Sequence, residues 1–194
     1  MRHCGTQIIE TERLILRRFR TDDVRSMYKN WTSDPEVTKY LSWKNHKSIE
    51  ESKMVLKRIV AAYQNNKFYR WAIILKGNGD KPIGSIGVVS TNEKVSSVQI
   101  GYCIGRQWWN MGIASESLNS VIDFMFDKVG VNRIEARHDI RNPHSGMVMK
   151  KCGMFFEGIA RSSDINNQGI CDMCQYAILK SDKRVKGEIS HVRE

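Results

Sequence analysis

Apolar residues recur along this chain with two distinct periods. Leu118, Val121, Ile122, Met125 and Phe126 fall three or four apart, the spacing that lays one stripe of a helix on a core. Val24, Met27, Tyr28 and Trp31 repeat it on an earlier helix, which Thr21 is expected to cap, with Asp22 and Asp23 facing the positive end of its dipole. SIEE at 48–51 has capping-box spacing and opens a helix to about Asn65. Asn142 followed by Pro143 marks a further helix start, and Gly153 suits its end.

Between these lie short runs that read as strands: LILRRF (14–19), FYRWAIIL (68–75), IGSIGVVS (83–90), VQIGYCI (98–104) and RIEARH (133–138). KGNGDKP joins the second and third as a hairpin connection, and MFFEGIARSS and CDMCQYAIL flank a polar turn, DINNQG, in a closing hairpin. The predicted order is strand, two helices, three strands, helix, strand, helix, two strands. That order is mixed α/β, with a central sheet and helices on its faces.

Composition narrows this little. A chain of 194 residues fits one domain, here read as a core over about 9–180 followed by a basic tail from 181. No apolar run approaches the roughly 20 residues of a membrane span, and the start MRHCGTQIIETER lacks the pattern of a secretory signal, so the expected compartment is the cytosol. Five cysteines, an odd number, favour free thiols. Cys171 and Cys174 form a C-x-x-C, but on a strand an odd separation sends the thiols to opposite faces, so no metal site is expected. A formal charge of +10 favours anionic partners in general, spread too evenly to predict a stable nucleic-acid complex.

The chemistry concentrates in RQWWNMGIASES (106–117). A short turn with Gly112 and Ala114 leads from a strand into a helix, where small side chains let the backbone approach a ligand and unpaired N–H groups point outward. Such a turn is an anion cradle or a plain structural connection. It is neither a phosphate-binding G-K-[ST] loop nor a G-x-G-x-x-G fingerprint.

The run WWNMGIASESL, the preceding IGYCI and the later NPHSGMVMKKCGM resemble the GCN5-related N-acetyltransferase superfamily, and within it the ribosomal-protein alanine N-acetyltransferase branch, from about Ile9 to Leu179. The resemblance implies that fold, with two neighbouring strands splayed apart, and acetyl-coenzyme A as cosubstrate. It implies that the loop Trp109, Asn110, Met111, Gly112, Ile113, Ala114 and Ser115 holds the pyrophosphate through its amides, Trp109 standing where many relatives have Arg or Gln. It further implies that the backbone of Cys103 and Ile104 pairs with the pantetheine arm, that Asn142 hydrogen-bonds the cofactor, and that Ser145 meets the leaving thiolate. The loop around Tyr40 to Trp43 and the second helix would line the acceptor side.

The general base stays open. Many relatives carry Glu before I-G-Y, but Gln99 stands here and cannot titrate. Asp164 occupies the place of another carboxylate of the branch and is also an ordinary turn aspartate; His138 is a further candidate, and Asp172 is read as structural. The acceptor would be a primary amine, a protein N-terminus or a small molecule such as a polyamine, amino acid or aminoglycoside. The competing reading is a noncatalytic module that senses acyl-coenzyme A or contacts nucleic acid. Oligomeric state, monomer or homodimer, is left open.

Overall fold

A computed structural model of the chain describes residues 1–182; the basic tail, beyond Asp182, lies outside the described residues. The strands are β1 (Ile9–Glu10), β2 (Leu14–Arg17), β3 (Arg70–Leu75), β4 (Pro82–Asn92), β5 (Ser97–Ile104), β6 (Arg133–Asp139), β7 (Phe155–Asn166) and β8 (Gly169–Leu179). They form one sheet in the order β1-β2-β3-β4-β5-β6-β8-β7. Every neighbouring pair is antiparallel except β5 and β6, which run parallel.

Helices cover both faces. On one lie α1 (Val24–Met27), α2 (Pro35–Thr38) and α3 (Ile49–Ala62). Met27, Trp31, Val37 and Leu56 pack there on Ala72 and Ile74 of β3. The opposite face takes α4 (Ile113–Phe124), whose Leu118, Val121 and Ile122 meet Trp71, Ile73, Val98 and Ile100, and α5 (Pro143–Lys151), anchored by Met149. Alternation along β3 therefore divides one strand between two cores. The stripe predicted from 118 to 126 is buried throughout, Met125 and Phe126 lying in a wider π-type turn that ends at Gly130, φ +76°.

Two local expectations are corrected. Thr21 does not cap the first helix: the carboxylate of Asp23 receives the N–H of Arg20 at 2.7 Å, and the first turn is 3₁₀. Arg17, almost fully buried, fixes that carboxylate through two bonds of 2.8 Å, which is why Asp23 faces inward. The DINNQG turn shrinks to Asn167 and Gln168, because β7 runs on to Asn166 and Asp164 pairs with Cys171 inside the hairpin. Irregular register between Ala160 and Asp164 absorbs the extra residues.

Candidate functional site

The parallel pairing of β5 with β6 covers only Ser97 with Arg133, Val98 with Ile134 and Gln99 with Glu135. Beyond Gln99, β5 stays with β4 as far as Ile104, while β6 follows β8 to Asp139. The strands thus part, and β4 carries a bulge between Val88 and Ser90 opposite the point of parting. A bulge adds twist and bend to one side of a pair, which turns β5 away from β6.

Strand alternation decides which β5 peptides face the gap. Gly105 donates to Ile83 on β4, so the odd-numbered residues of β5 address β4 and the even ones address β6. Cys103, expected to offer its backbone to a cofactor, instead turns its N–H and C=O toward β4. Tyr102 and Ile104 face the gap. The Ile104 carbonyl is already taken, accepting the indole N–H of Trp109 at 2.7 Å, which leaves Tyr102 and the N–H of Ile104 on the open edge.

The loop that follows is built to present its amides. Trp108 is buried at 7% exposure while Trp109, at 43%, lies over the end of β5. Asn110 at φ +60° and Gly112 at φ +75° both adopt left-handed backbone, open to Gly without penalty and tolerated by Asn. Among the described residues, no acceptor receives the N–H groups of Asn110, Met111, Gly112, Ile113, Ala114 or Ser115; the first amide to close a helical bond is that of Glu116, to Gly112. A run of unpaired amides at the positive end of α4 suits a diphosphate. Arg13, from the turn between β1 and β2, fixes the other side of the loop: Nη1 donates to the Met111 carbonyl at 2.9 Å, and Nε donates to Glu116 at 2.7 Å.

Across the gap, the N-terminal turn of α5 brings Ser145 to β5. The Tyr102 hydroxyl lies 3.0 Å from Ser145 Oγ. Burial raises the pKa of Tyr102 well above its ordinary value, so this phenol stays protonated at neutral pH. Asn142 does sit at the N-cap of α5, with φ −112° and ψ 65°, but its side chain makes no capping bond. His138 is buried against the same helix; its Nδ1 lies 2.8 Å from the Asp139 carbonyl and Nε2 has no partner. Desolvation lowers its pKa.

Asp164 lies on the α1–α3 side of the gap. Arg137 Nη2 pairs with its Oδ2 at 2.9 Å, and Oδ1 accepts the N–H of Ile165 at 2.8 Å. Asp172 is structural, accepting the Ser162 N–H at 2.7 Å. Asn167, at the hairpin tip, donates to the carbonyls of Thr38 and Trp43 and so ties the closing hairpin to the aromatic loop. Sequence reasoning missed Arg13, Tyr102 and Asn167, since each acts on a partner far away in the chain.

The profile described as Acetyltransferase (GNAT) domain matches residues 13–155, the segment that holds the splayed strands, the amide loop and the whole of α5. The chain belongs to the GNAT acetyltransferase family. It is 32% identical over 173 residues to the uncharacterized N-acetyltransferase YoaA of Bacillus subtilis, covering 89% of this chain and 97% of that protein. A GNAT-family acetyltransferase from Bacillus anthracis superposes with a TM-score of 0.79 at 26% identity, over 90% of this chain and 99% of the other. The RimL ribosomal L7/L12 α-N-protein acetyltransferase, solved with coenzyme A, has the same fold, with a TM-score of 0.79 at 18% identity over 89% and 98% of the two chains.

This GNAT protein is therefore an acetyl-coenzyme A dependent N-acetyltransferase, not the noncatalytic module that its sequence also allowed. Its residues fit the cosubstrate: free amides for two phosphates and an unpaired strand edge for an amide-bearing arm. No helix among the described residues is long and apolar enough to cross a membrane.

Proposed function

We propose that this acetyltransferase modifies the α-amino group at the N-terminus of a protein, as a member of the ribosomal-protein alanine N-acetyltransferase branch. The observation that carries this reading is the weakness of the available base. Gln99 stands where a carboxylate is common in the family and accepts a hydrogen bond from Ser90, while Asp164 already shares both its oxygens with Arg137 and Ile165. An α-amine with an ordinary pKa near 7.7 to 8.0 is already partly neutral at pH 7, whereas a lysine near about 10.4 demands a strong base. The RimL neighbour, an α-N-protein acetyltransferase by its description, supports the same acceptor class.

In this reading the amides of Asn110, Met111, Gly112, Ile113, Ala114 and Ser115 hold the pyrophosphate, the indole of Trp109 keeps that loop against Ile104, and the free amide of Asn142 faces the pantetheine arm. Acetyl-coenzyme A supplies the activated thioester. Ser145 donates its hydroxyl hydrogen toward the departing sulfur, and Asp164 draws in the acceptor ammonium and receives its proton, directly or through water. A thiol is a tolerable leaving group at a pKa near about 8.5, so Ser145 need only stabilise it.

An acceptor screen tests this. Release of free coenzyme A thiol should be fastest with peptides bearing a free Ala or Ser N-terminus, and slower with spermidine or free amino acids. Preference for spermidine would overturn it. Binding of acetyl-coenzyme A is checked separately by thermal shift, where a ligand at a hundred times its dissociation constant adds about 2.7 kcal/mol.

A further inference from the structure

Arg70 opens β3 on the face covered by α1 to α3, and its side chain crosses Gly87 of the next strand: a Cβ on Gly87 would stand 3.0 Å from Arg70 Nε. Gly87 pairs in turn with Gly101 of β5. Gly87 thus leaves room on β4 for the arginine, while Cγ1 of Val89 lies over Gly101, 3.0 Å from where a Cβ would stand. Strands lie about 4.8 Å apart, so the arginine side chain crosses β4 and its head stands one strand spacing from β5. Gly101 is two residues past Gln99, the last residue of β5 paired with β6.

Several other arginines on or beside the sheet have counter-ions. Arg17 binds Asp23 and Asp80, Arg133 binds Glu135 and Glu157, Arg137 binds Asp164, and Arg141 binds Asp139. Arg70 has none among the described residues, and its Nε is buried without a partner. Burial lowers its pKa, and the nearby ionisable groups are Tyr63 and Cys103, whose own pKa values burial pushes up to about 12 and about 11, so neither supplies a charge at neutral pH. The side chain as a whole is half-buried, but its Nε is kept from water with nothing to bind, an unfavourable desolvation that an anion would relieve.

We infer that Arg70 is a specificity determinant on the acceptor side, binding a carboxylate that the acceptor carries beside its reacting amine. This rests on the proposed α-amine acceptor and narrows it. The planar fork of a guanidinium takes a carboxylate through two parallel bonds, with a geometry that lysine lacks. The carboxylate comes either from an acidic side chain in the first two residues of a peptide or from the α-carboxylate of a free amino acid.

The test compares peptides beginning Ser-Asp and Ser-Asn, Asp-Ala and Asn-Ala, together with free glutamate and glutamate α-amide, reading kcat/KM by thiol release. An acidic acceptor should exceed its neutral partner about tenfold to a hundredfold, the worth of a hydrogen bond to a charged group. Arg70→Gln should collapse that ratio toward one, and Arg70→Lys should retain part of it. Equal rates for matched acidic and neutral acceptors in the unaltered enzyme, or an undiminished ratio in Arg70→Gln, overturns the assignment while leaving the N-terminal reading intact. Acetylation of free glutamate in preference to its α-amide, with every peptide inert, supports Arg70 and removes the N-terminal reading instead.

Discussion

The Tyr102 hydroxyl lies 3.0 Å from Ser145 Oγ and donates to the Ser145 carbonyl at 3.1 Å, joining β5 to α5 across the mouth of the gap. Tyr102 has one hydrogen for two acceptors. When it goes to Oγ, the serine hydrogen is free for a departing sulfur.

Removing either hydroxyl therefore tests the acid side of the reaction. Ser145→Ala should lower kcat by about a hundredfold, the lower range for a positioned proton donor, with a small change in KM for acetyl-coenzyme A. Tyr102→Phe should lower kcat about tenfold, because the serine remains but loses its orientation. Steady-state thiol release measures both, and full activity in Ser145→Ala would remove that residue from the mechanism.

Arg13 holds the amide loop without using any of its amides, bridging the Met111 carbonyl and Glu116. Arg13→Ala should leave the loop looser and raise KM for acetyl-coenzyme A about fivefold, equivalent to about 1 kcal/mol, with kcat nearly unchanged. A fall in kcat at constant KM would mean that the clamp acts elsewhere.

Gly146 has no room for a side chain: a Cβ there would stand 2.5 Å from His138 Nε2. Gly146→Ala should cost about 1–3 kcal/mol through overpacking, lowering Tm by several degrees. His138→Ala in the same background should recover part of the loss, and purely additive effects in this cycle would show that the two residues do not meet.

Asp139 is buried, and hydrogen bonds from Arg141 bring its carboxyl down to about 2 from an ordinary 3.8. A lowered carboxylate adds stability above its unfolded pKa and loses it as pH falls toward the folded value. The window is about pH 4 down to pH 2, and the contribution above it is about 2 kcal/mol. Urea unfolding between pH 7 and pH 2 should show a steeper acid limb in the unaltered protein than in Asp139→Asn; equal slopes would place the titration elsewhere.

The long helices and the strands from β3 to β6 were legible within a few residues, because a helix stripe or a strand alternation is a property of neighbours in the chain. The loop with Gly112 was legible for the same reason: its left-handed backbone and exposed amides follow from local residue types. β1 and α2 were not, being two and four residues long, too short to repeat a pattern. Cys103 shows another boundary. The edge of the sheet its peptide faces follows from pairing with β4, which no pattern within VQIGYCI records.

Order of residues alone thus settled the α/β class, the small-residue turn at Gly112 and Ala114 and the helix start at Asn142, all encoded within a dozen neighbours. Folding alone settled the rest: that β6 leaves β5 after Gln99, that Tyr102 meets Ser145, that Arg13 clamps a loop about a hundred positions away, and that Arg70 lies uncompensated across Gly87. These depend on distances between segments remote in the chain, which no local periodicity records.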